Sequence, residues 1–422
     1  MKFVLPIYGT RGDIEPCAAV GRELLRRGHD VHMAVPPDLV RFVESAGLAT
    51  VAYGLDTRAQ VDAFHSFWTF FYRNFWKISD VIRLWREAWE IVTRCWGAMS
   101  TTLTALADGA DLLVTGLGFE WPAANVAEYH DIPLAILDYS PLRPNGQVGP
   151  GLPPPLIRVA MTVNDWVQWR LTKRAENAQR RELGLPKATR PSSRRIEERG
   201  SLEIQAYDEV CFPGLAAEWA KWNGQRPFVG ALTMELPTDA DDEVVSWIAA
   251  GTPPIYFGFG SMPVESAADT LAMIGAACAR LGERALVCGG GSDFGHVPHV
   301  DHVKVVGAVN HAAIFPACRA VVHHGGAGTT AAGLRAGVPT LVLWMLGDQL
   351  IWGAAVKRLK VGTARRFSAT TSEALVADLR RILAPDYTTR AHEIATRMTK
   401  PAESVANAAD LLENLASSRH VG

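Results

Sequence analysis

The chain has 422 residues, 48% hydrophobic and 20% charged, with a formal net charge of −2. That length predicts two or three domains with substantial cores, and the near-neutral balance argues against nucleic acid as a partner. Six cysteines, at 17, 95, 211, 278, 288 and 318, form no CxxC pair, the pattern of reduced, buried thiols in a cytoplasmic protein. The first apolar run is too short for a signal peptide, and no uninterrupted apolar stretch is long enough to span a bilayer.

Residues 3–8 predict a buried strand, Gly9-Thr10-Arg11-Gly12-Asp13 a turn, and 14–27 a helix with Pro16 in its first turn and Gly28 closing it. A second strand over 31–35 completes a β-α-β unit, so this region is predicted to build a parallel α/β sheet. The turn reads GxxG rather than GxGxxG, which weakens a dinucleotide reading. Between 64 and 76 the pattern breaks: Phe64, Phe67, Trp68, Phe70, Phe71, Tyr72, Phe75 and Trp76 follow neither a helical nor a strand period. Some of these rings are expected to stay exposed as a patch for an apolar ligand, a partner or a membrane surface; a locally buried plug is the competing reading. Ile78, Ile82, Trp85, Trp89, Val92 and Trp96 share one face of a following helix, the spacing of core packing.

Strand-like runs resume at 111–115 and 133–137. Residues 141–155, rich in proline and glycine, predict a long loop, and the mixed charges of 187–200 predict a solvated segment. A polar stretch places a linker at 228–242 between an N-terminal domain, 1–227, and a second α/β domain, 243–387. The second domain opens with Pro254-Ile255-Tyr256-Phe257-Gly258-Phe259-Gly260-Ser261 and carries further strands near 284–288, 303–306, 320–323 and 340–343. A helical tail, 388–422, is interrupted by Pro401 and is expected to pack back on the N-terminal domain.

Four loops of the second domain follow strands, where ligands bind in open α/β sheets. They are Gly258-Phe259-Gly260-Ser261, Gly307-Ala308-Val309-Asn310-His311, His324-Gly325-Gly326-Ala327-Gly328-Thr329 and Leu346-Gly347-Asp348-Gln349. The third runs from a strand through a glycine turn into a helix N-terminus, whose free N–H groups and dipole suit a diphosphate; a plain strand-to-helix connector is the alternative. In the fourth, a carboxylate beside a carboxamide both accepts and donates hydrogen bonds, which suits a sugar ring. His296, His299 and His302 stand three residues apart, but Pro298 and the lack of a completing Cys or carboxylate argue against a metal site. Asp62, His65 and Asp80 are candidates for an auxiliary acid or base, with no geometry fixed by sequence.

Together these residues resemble the nucleotide-sugar glycosyltransferases of the GT-B fold, glycosyltransferase family 1. The likeness is greatest to the branch of glycopeptide-antibiotic, macrolide, sterol and mycobacterial glycopeptidolipid glycosyltransferases. It is carried by Gly9-Thr10-Arg11-Gly12-Asp13-Ile14-Glu15-Pro16, Val309-Asn310-His311 and His323-His324-Gly325-Gly326-Ala327-Gly328-Thr329-Thr330. The resemblance implies two Rossmann-like parallel-sheet domains facing each other across a cleft, with the acceptor bound by the N-terminal domain and the nucleotide-sugar by the second. It assigns the base to Asp13, at the N-terminal loop Gly9, Thr10, Arg11, Gly12; on spacing alone Asp13 also fits a helix N-cap. It assigns the donor diphosphate to Ser261, His324, Gly326, Ala327, Gly328 and Thr329, and the donor sugar to Asp348 and Gln349. The nucleobase falls near Ala308, Val309 and Asn310; Ala308 stands where plant relatives stack a tryptophan on uracil, which leaves UDP against TDP open.

The chemistry these residues imply is inverting, metal-independent transfer of a sugar from a TDP- or UDP-sugar to a hydroxyl. The acceptor class is a bulky apolar molecule: a glycolipid, a glycopeptidolipid-like lipopeptide, a sterol or a natural product. A nucleoside diphosphate leaves as a stable anion, so a general acid is not required, unlike glycoside hydrolysis. Phe67, Trp68, Phe70 and Phe71 are the candidate acceptor contacts, and peripheral contact at the inner face of a membrane is compatible with them. No cofactor and no metal are expected. The alternatives are an NAD-dependent oxidoreductase, disfavoured by the missing GxGxxG, and a non-catalytic nucleotide-sugar- or lipid-binding protein.

Overall fold

Short Val, Leu, Ile and Ala runs, each closed by a glycine or polar turn and followed by a helix, recur along the chain. Runs of this kind, buried on both faces, favour parallel strands. The computed structural model describes residues 1–148, 152–222, 224–260, 262, 266–290 and 302–418. Its first sheet holds β1 (Lys2–Pro6), β2 (Asp30–Val35), β3 (Ala49–Ala52), β4 (Leu112–Gly116), β5 (Leu134–Asp138) and β6 (Leu202–Gln205). They are parallel, in the order β3-β2-β1-β4-β5-β6. The second sheet holds β7 (Ile255–Gly258), β8 (Ala285–Cys288), β9 (Val303–Val306), β10 (Ala320–His323), β11 (Thr340–Trp344) and β12 (Gly362–Arg366). These are parallel in the order β12-β11-β10-β7-β8-β9. Each sheet reverses its winding once, between β1 and β4 and between β7 and β10. At such a reversal two loops leave the strands' carboxyl ends in opposite directions and open a crevice for a ligand.

Helices pack on both faces of each sheet. With the first go α1 (Arg11–Arg26), α2 (Val40–Ser45), α3 (Arg58–Asn74), α4 (Ile78–Leu106), α5 (Glu120–His130), α6 (Pro154–Glu182), α7 (Ser192–Glu198) and α8 (Leu215–Trp219). With the second go α9 (Asp241–Ala249), α10 (Ala267–Leu281), α11 (His311–Ile314), α12 (Ala327–Ala336), α13 (Gly347–Leu359), α14 (Ser372–Ile382) and α15 (Pro385–Ala395). The period of two along β1 sends Phe3 and Leu5 to one core and Val4 to the other. Alternation along β7 likewise divides Ile255 and Phe257 from Tyr256.

The chain divides into two units, Met1–Met234 with Thr399–Gly422, and Glu235–Met398. The last helix, α16 (Pro401–Ser418), starts at the proline that interrupts the tail and places Ala408, Ala409, Leu412 and Ala416 in the core beside α1. Burying Leu412 alone is worth about 2 kcal/mol. Arg27 reinforces the contact, with Nη1 2.6 Å from Asp410 and 2.5 Å from Glu413. Residues 388–398, predicted to start the tail, belong instead to the second unit: α15 packs on α12, and Arg390 Nε donates to the Leu359 carbonyl at 3.0 Å. Residues 235–242 also belong there rather than to a free linker, because Asp241 accepts from the Asn310 amide at 2.8 Å.

Three segments differ from expectation. Residues 64–76, predicted without a period, lie mostly within α3. Phe67 faces α4, its centroid 4.5 Å from that of Trp85, and stacks with Phe71 at 5.9 Å, while Trp68 and Tyr72 stack at 5.5 Å on the adjoining side. Rings on two neighbouring faces conceal the helical period. The long loop over 141–155 ends where Pro154 begins α6, proline being suited to a helix's first turn. Residues 187–200, expected to be solvated, contain α7, whose Ile196 is buried. Its Arg195 pairs with Glu176 of α6 and, at 3.2 Å, with Glu128 of α5, the pairing that buried charges require.

Candidate active site

At the reversal of the first sheet, β1 turns through Gly9 into α1. The helix begins at Arg11, three residues earlier than predicted, with Thr10 at the N-cap, so Asp13 stands in the first turn and is not the cap. Asp13 Oδ2 accepts from the Thr10 N–H at 2.6 Å and from its hydroxyl at 3.0 Å, closing the helix start as an acidic third residue does. Gly9 has φ +149°, and a Cβ there would stand 2.4 Å from Asp13 Oδ2, so only glycine lets the carboxylate lie against the turn. Sequence reasoning missed Tyr139, just after β5, whose hydroxyl donates to the Leu117 carbonyl at 3.2 Å and lies close enough to Asp13 to feel its charge. Burial, with the Asp13 charge second, holds the Tyr139 hydroxyl well above its usual pKa, so it stays protonated beside the carboxylate. Arg11 is exposed, pairs with Glu15 at 3.2 Å and covers the Phe42 ring at 4.6 Å; Gly12 is exposed beside it.

At the reversal of the second sheet, β10 ends at His323 and the chain turns through Gly325, φ +99°, to Gly326, the N-cap of α12. The first-turn N–H groups of Ala327, Gly328 and Thr329 have no intrahelical carbonyl to bond, and Gly328 is exposed. Thr330, buried, donates to the Gly326 carbonyl at 2.8 Å and fixes the turn. His323 is buried, with Nδ1 accepting from the Gly325 N–H at 2.9 Å. The His324 ring lies between Gly260 and Gly326, where a Cβ at either glycine would stand 2.8 Å from it. Although His324 is half-buried as a residue, its Nδ1 is enclosed without a hydrogen-bond partner. Burial lowers its pKa to about 4, against the opposing effect of a bond to the Gly258 carbonyl. His324 is therefore neutral at pH 7 in the free protein.

The other predicted donor residues separate by environment. Asp348 stands exposed in the first turn of α13. Desolvation pushes its carboxyl pKa up, against hydrogen bonds from the Asp348 and Gln349 amides that pull it down. Gln349 is buried, its Oε1 accepting from the Met345 and Leu346 amides at 2.7 and 3.0 Å. Its oxygen therefore holds the start of α13, a commitment that the Asp–Gln spacing did not reveal. Ala308 is exposed and Val309 is in the core. Asn310 caps α11 by accepting from the Ala312 amide at 3.1 Å. Ser261, His296 and His299 lie outside the described residues, and the His302 ring meets the Gly275 carbonyl at 2.9 Å.

Of the predicted acceptor residues, Phe67 is enclosed at 6% exposure, so it presents no ring to a ligand. Trp68, Phe70 and Phe71 are half-buried. The most exposed rings are Phe75 and Trp76, at 63% and 62%. Of the stripe on α4, Trp89 and Trp96 are core, as the spacing predicts: they pack on Trp121, and Trp96 Nε1 donates to Gln179 at 2.7 Å, whereas Ile78 and Ile82 at the helix start are exposed, at 67% and 46%, because the first turns of α4 extend beyond that cluster. Asp80 faces Arg83 at 3.5 Å, and Asp62 is exposed. No helix among the described residues is long and apolar enough to cross a membrane.

Two six-stranded parallel sheets, each with a loop-lined reversal, match the GT-B glycosyltransferase architecture. Residues 3–99 match the glycosyltransferase family 28 N-terminal domain, and residues 270–413 the erythromycin biosynthesis protein CIII-like C-terminal domain. An uncharacterized glycosyltransferase of Mycobacterium bovis is 64% identical over 419 residues, covering 99% of each chain. A sterol 3-beta-glucosyltransferase of Arabidopsis thaliana is 28% identical over 432 residues, covering 97% of this chain and 67% of the relative. Among solved structures, the calicheamicin glycosyltransferase CalG4 superposes with a TM-score of 0.68 at 17% identity over 99% and 98% of the two chains. The glycosyltransferase VinC, solved with dTDP, gives 0.65 at 19% over 99% and 100%. The chain belongs to the glycosyltransferases of the GT-B fold. It is an enzyme of that class, which sets aside the oxidoreductase alternative.

Proposed function

We propose that the protein moves a sugar from a TDP- or UDP-sugar to a hydroxyl of a bulky apolar acceptor, with inversion and without a metal ion. The observation that carries this is the Gly326–Thr329 turn at the β7/β10 reversal, where free N–H groups and the positive end of α12 meet the enclosed ring of His324. A helix N-terminus carries an effective charge of about +0.5, and donors fixed before reaction stabilise the charge that develops on a departing diphosphate. Asp13 takes the proton from the acceptor hydroxyl. The acceptor oxygen bonds the anomeric carbon as the bond to the diphosphate oxygen breaks, and attack opposite the leaving group inverts the centre. Tyr139, protonated beside Asp13, steadies the carboxylate in this reading.

Support for the donor class comes from the dTDP bound by VinC, and for an apolar acceptor from the sterol glucosyltransferase and the partly exposed rings of Trp68, Phe70 and Phe71. Glycolipids, lipopeptides of the glycopeptidolipid kind, sterols and natural products are the acceptor classes that fit. The same rings, with Phe75 and Trp76, give the enzyme a means of resting against the cytoplasmic face of a membrane. A panel of TDP- and UDP-sugars against these acceptors, read by mass spectrometry, tests the proposal; a product retaining the donor's anomeric configuration contradicts it.

Asp348 is the proposed sugar contact and Gln349 the residue that holds its helix. Asp348→Ala is expected to weaken discrimination between donor sugars about tenfold, a loss of about 1.4 kcal/mol, while free nucleoside diphosphate binds nearly as before. Competition kinetics with paired donors measure this, and equal losses for sugar donor and free diphosphate remove Asp348 from the sugar pocket.

A further inference from the structure

β10 delivers the chain to the donor turn through His323, which is buried at 0% exposure. In the sheet it pairs with Gly258 of β7 on one side and Val342 of β11 on the other. With its backbone fixed there, the side chain reaches along the chain: Nδ1 accepts from the Gly325 N–H, two residues on, at 2.9 Å. Because Nδ1 accepts, the neutral ring carries its proton on Nε2. That nitrogen is enclosed with no hydrogen-bond partner among the described residues. An enclosed N–H without an acceptor costs stability, and an apolar side chain of similar size would avoid the cost. What the ring supplies against it is the Nδ1 acceptor.

The turn needs such an acceptor. Gly325 and Gly326 are consecutive, and glycine backbones lose the most freedom on ordering. Gly325 has φ +99°, and a Cβ there would stand 2.9 Å from Val342 and 3.0 Å from Gln349, so no larger residue can stiffen the turn. Thr330 holds the far end, its amide and hydroxyl donating to the Gly326 carbonyl at 2.9 and 2.8 Å. His323 holds the near end. Within the segment so pinned, the Ala327, Gly328 and Thr329 N–H groups have no intrahelical acceptor.

We infer that His323 is a positioning residue for sugar transfer: through Gly325 it fixes the direction in which these N–H groups meet the diphosphate. The inference rests on the diphosphate reading of the turn. Donors fixed before the ligand arrives stabilise its charge without reorganising. The ring does this only when neutral, since an imidazolium sets an Nδ1–H against the Gly325 N–H. Burial, and then the charges of His324 and His311, keep its pKa well below the ordinary value. An aspartate would accept from the same amide but would set a negative charge beside the diphosphate; histidine offers the acceptor without the charge.

Calorimetric titration of the full chain with dTDP and with UDP tests the role in wild type, His323→Leu and His323→Asn. Leucine fills the ring's space without an acceptor. Asparagine is smaller, but its side-chain oxygen can accept from the amide two residues on. His323→Leu is expected to weaken diphosphate binding about tenfold, and His323→Asn to return it to within about threefold of wild type. Melting temperatures should not follow that order: the asparagine variant should melt no higher than the leucine one, because it leaves part of the site empty. Affinity that follows melting temperature rather than the acceptor, or a leucine variant that binds like wild type, overturns the inference. If the leucine variant fails to fold, nitrogen-15 NMR of the wild type decides. His323 must then show the Nε2–H tautomer at neutral pH, and an Nδ1–H tautomer overturns the inference. A wild type that binds neither dTDP nor UDP overturns the diphosphate reading of the turn and this inference with it, a result distinct from intact binding that ignores the substitutions.

Discussion

Asp13→Asn is expected to lower the transfer rate about 10²–10⁴-fold, the usual worth of a general base. Asparagine keeps the shape of aspartate and an oxygen that accepts from the Thr10 amide, so the start of α1 should survive. The variant loses only the ability to take a proton. Binding of free nucleoside diphosphate should therefore stay within about twofold of wild type, an interaction made on the leaving-group side. Single-turnover rates with calorimetric titration of the diphosphate separate the two roles. Unchanged transfer, or loss of transfer and diphosphate binding together, leaves Asp13 as a helix-start residue and nothing more.

The second large effect concerns acid and the two histidines at the end of β10. The His324 pKa falls from an unfolded value near 6.5 to about 4 through burial, and burial also takes His323 well below its usual range. With the folded pKa the lower one, the unfolded chain binds the proton first, and stability rises with pH across that window. The contribution of His324 is thus intact above about pH 6.5, is lost progressively as pH falls, and is gone below about pH 4. At pH 4.5 the loss should be about 2–3 kcal/mol relative to pH 7, an upper value for a half-buried residue. Urea denaturation of wild type and His324→Gln at both pH values measures it as a difference, in which the other acid-sensitive groups cancel. An equal acid loss in both proteins removes His324 as the cause. Saturating nucleoside diphosphate should shrink the loss, because phosphate charge near the ring favours the protonated form.

What the sequence showed of this architecture was what short-range patterns encode. The strand-turn-helix passage through His323 to Thr329 was readable because glycine spacing and the helix start fall within one turn of chain. Gly9 to Asp13 was readable as a junction, but the helix start was placed late because Thr10 and Asp13 close the turn by side-chain bonds that look polar and loop-like in sequence. The period of α3 was hidden by rings on two adjoining faces, and the burial of Phe67 depends on Trp85, eighteen positions away. The charges of α7 looked solvated because their partners, Glu128 and Glu176, come from other helices. Gln349 appeared equivalent to Asp348, yet one faces its own helix start and the other water. Tyr139 carried no signal at all: its nearness to Asp13 exists only once β5 lies two strands from β1.

The return of α16 to the first unit has a consequence for how the chain is made. Residues 235–398 precede α16 along the chain and clear the ribosome ahead of it, so the unit encoded in the middle has all its residues free to fold before the one that began first. Until residues 401–418 emerge, the surface of α1 that receives Ala408, Ala409 and Leu412 is open to water and to other nascent chains. Exposed apolar surface of this kind is where larger proteins aggregate or enlist chaperones. The N-terminal half of the enzyme is therefore the last part to become safe.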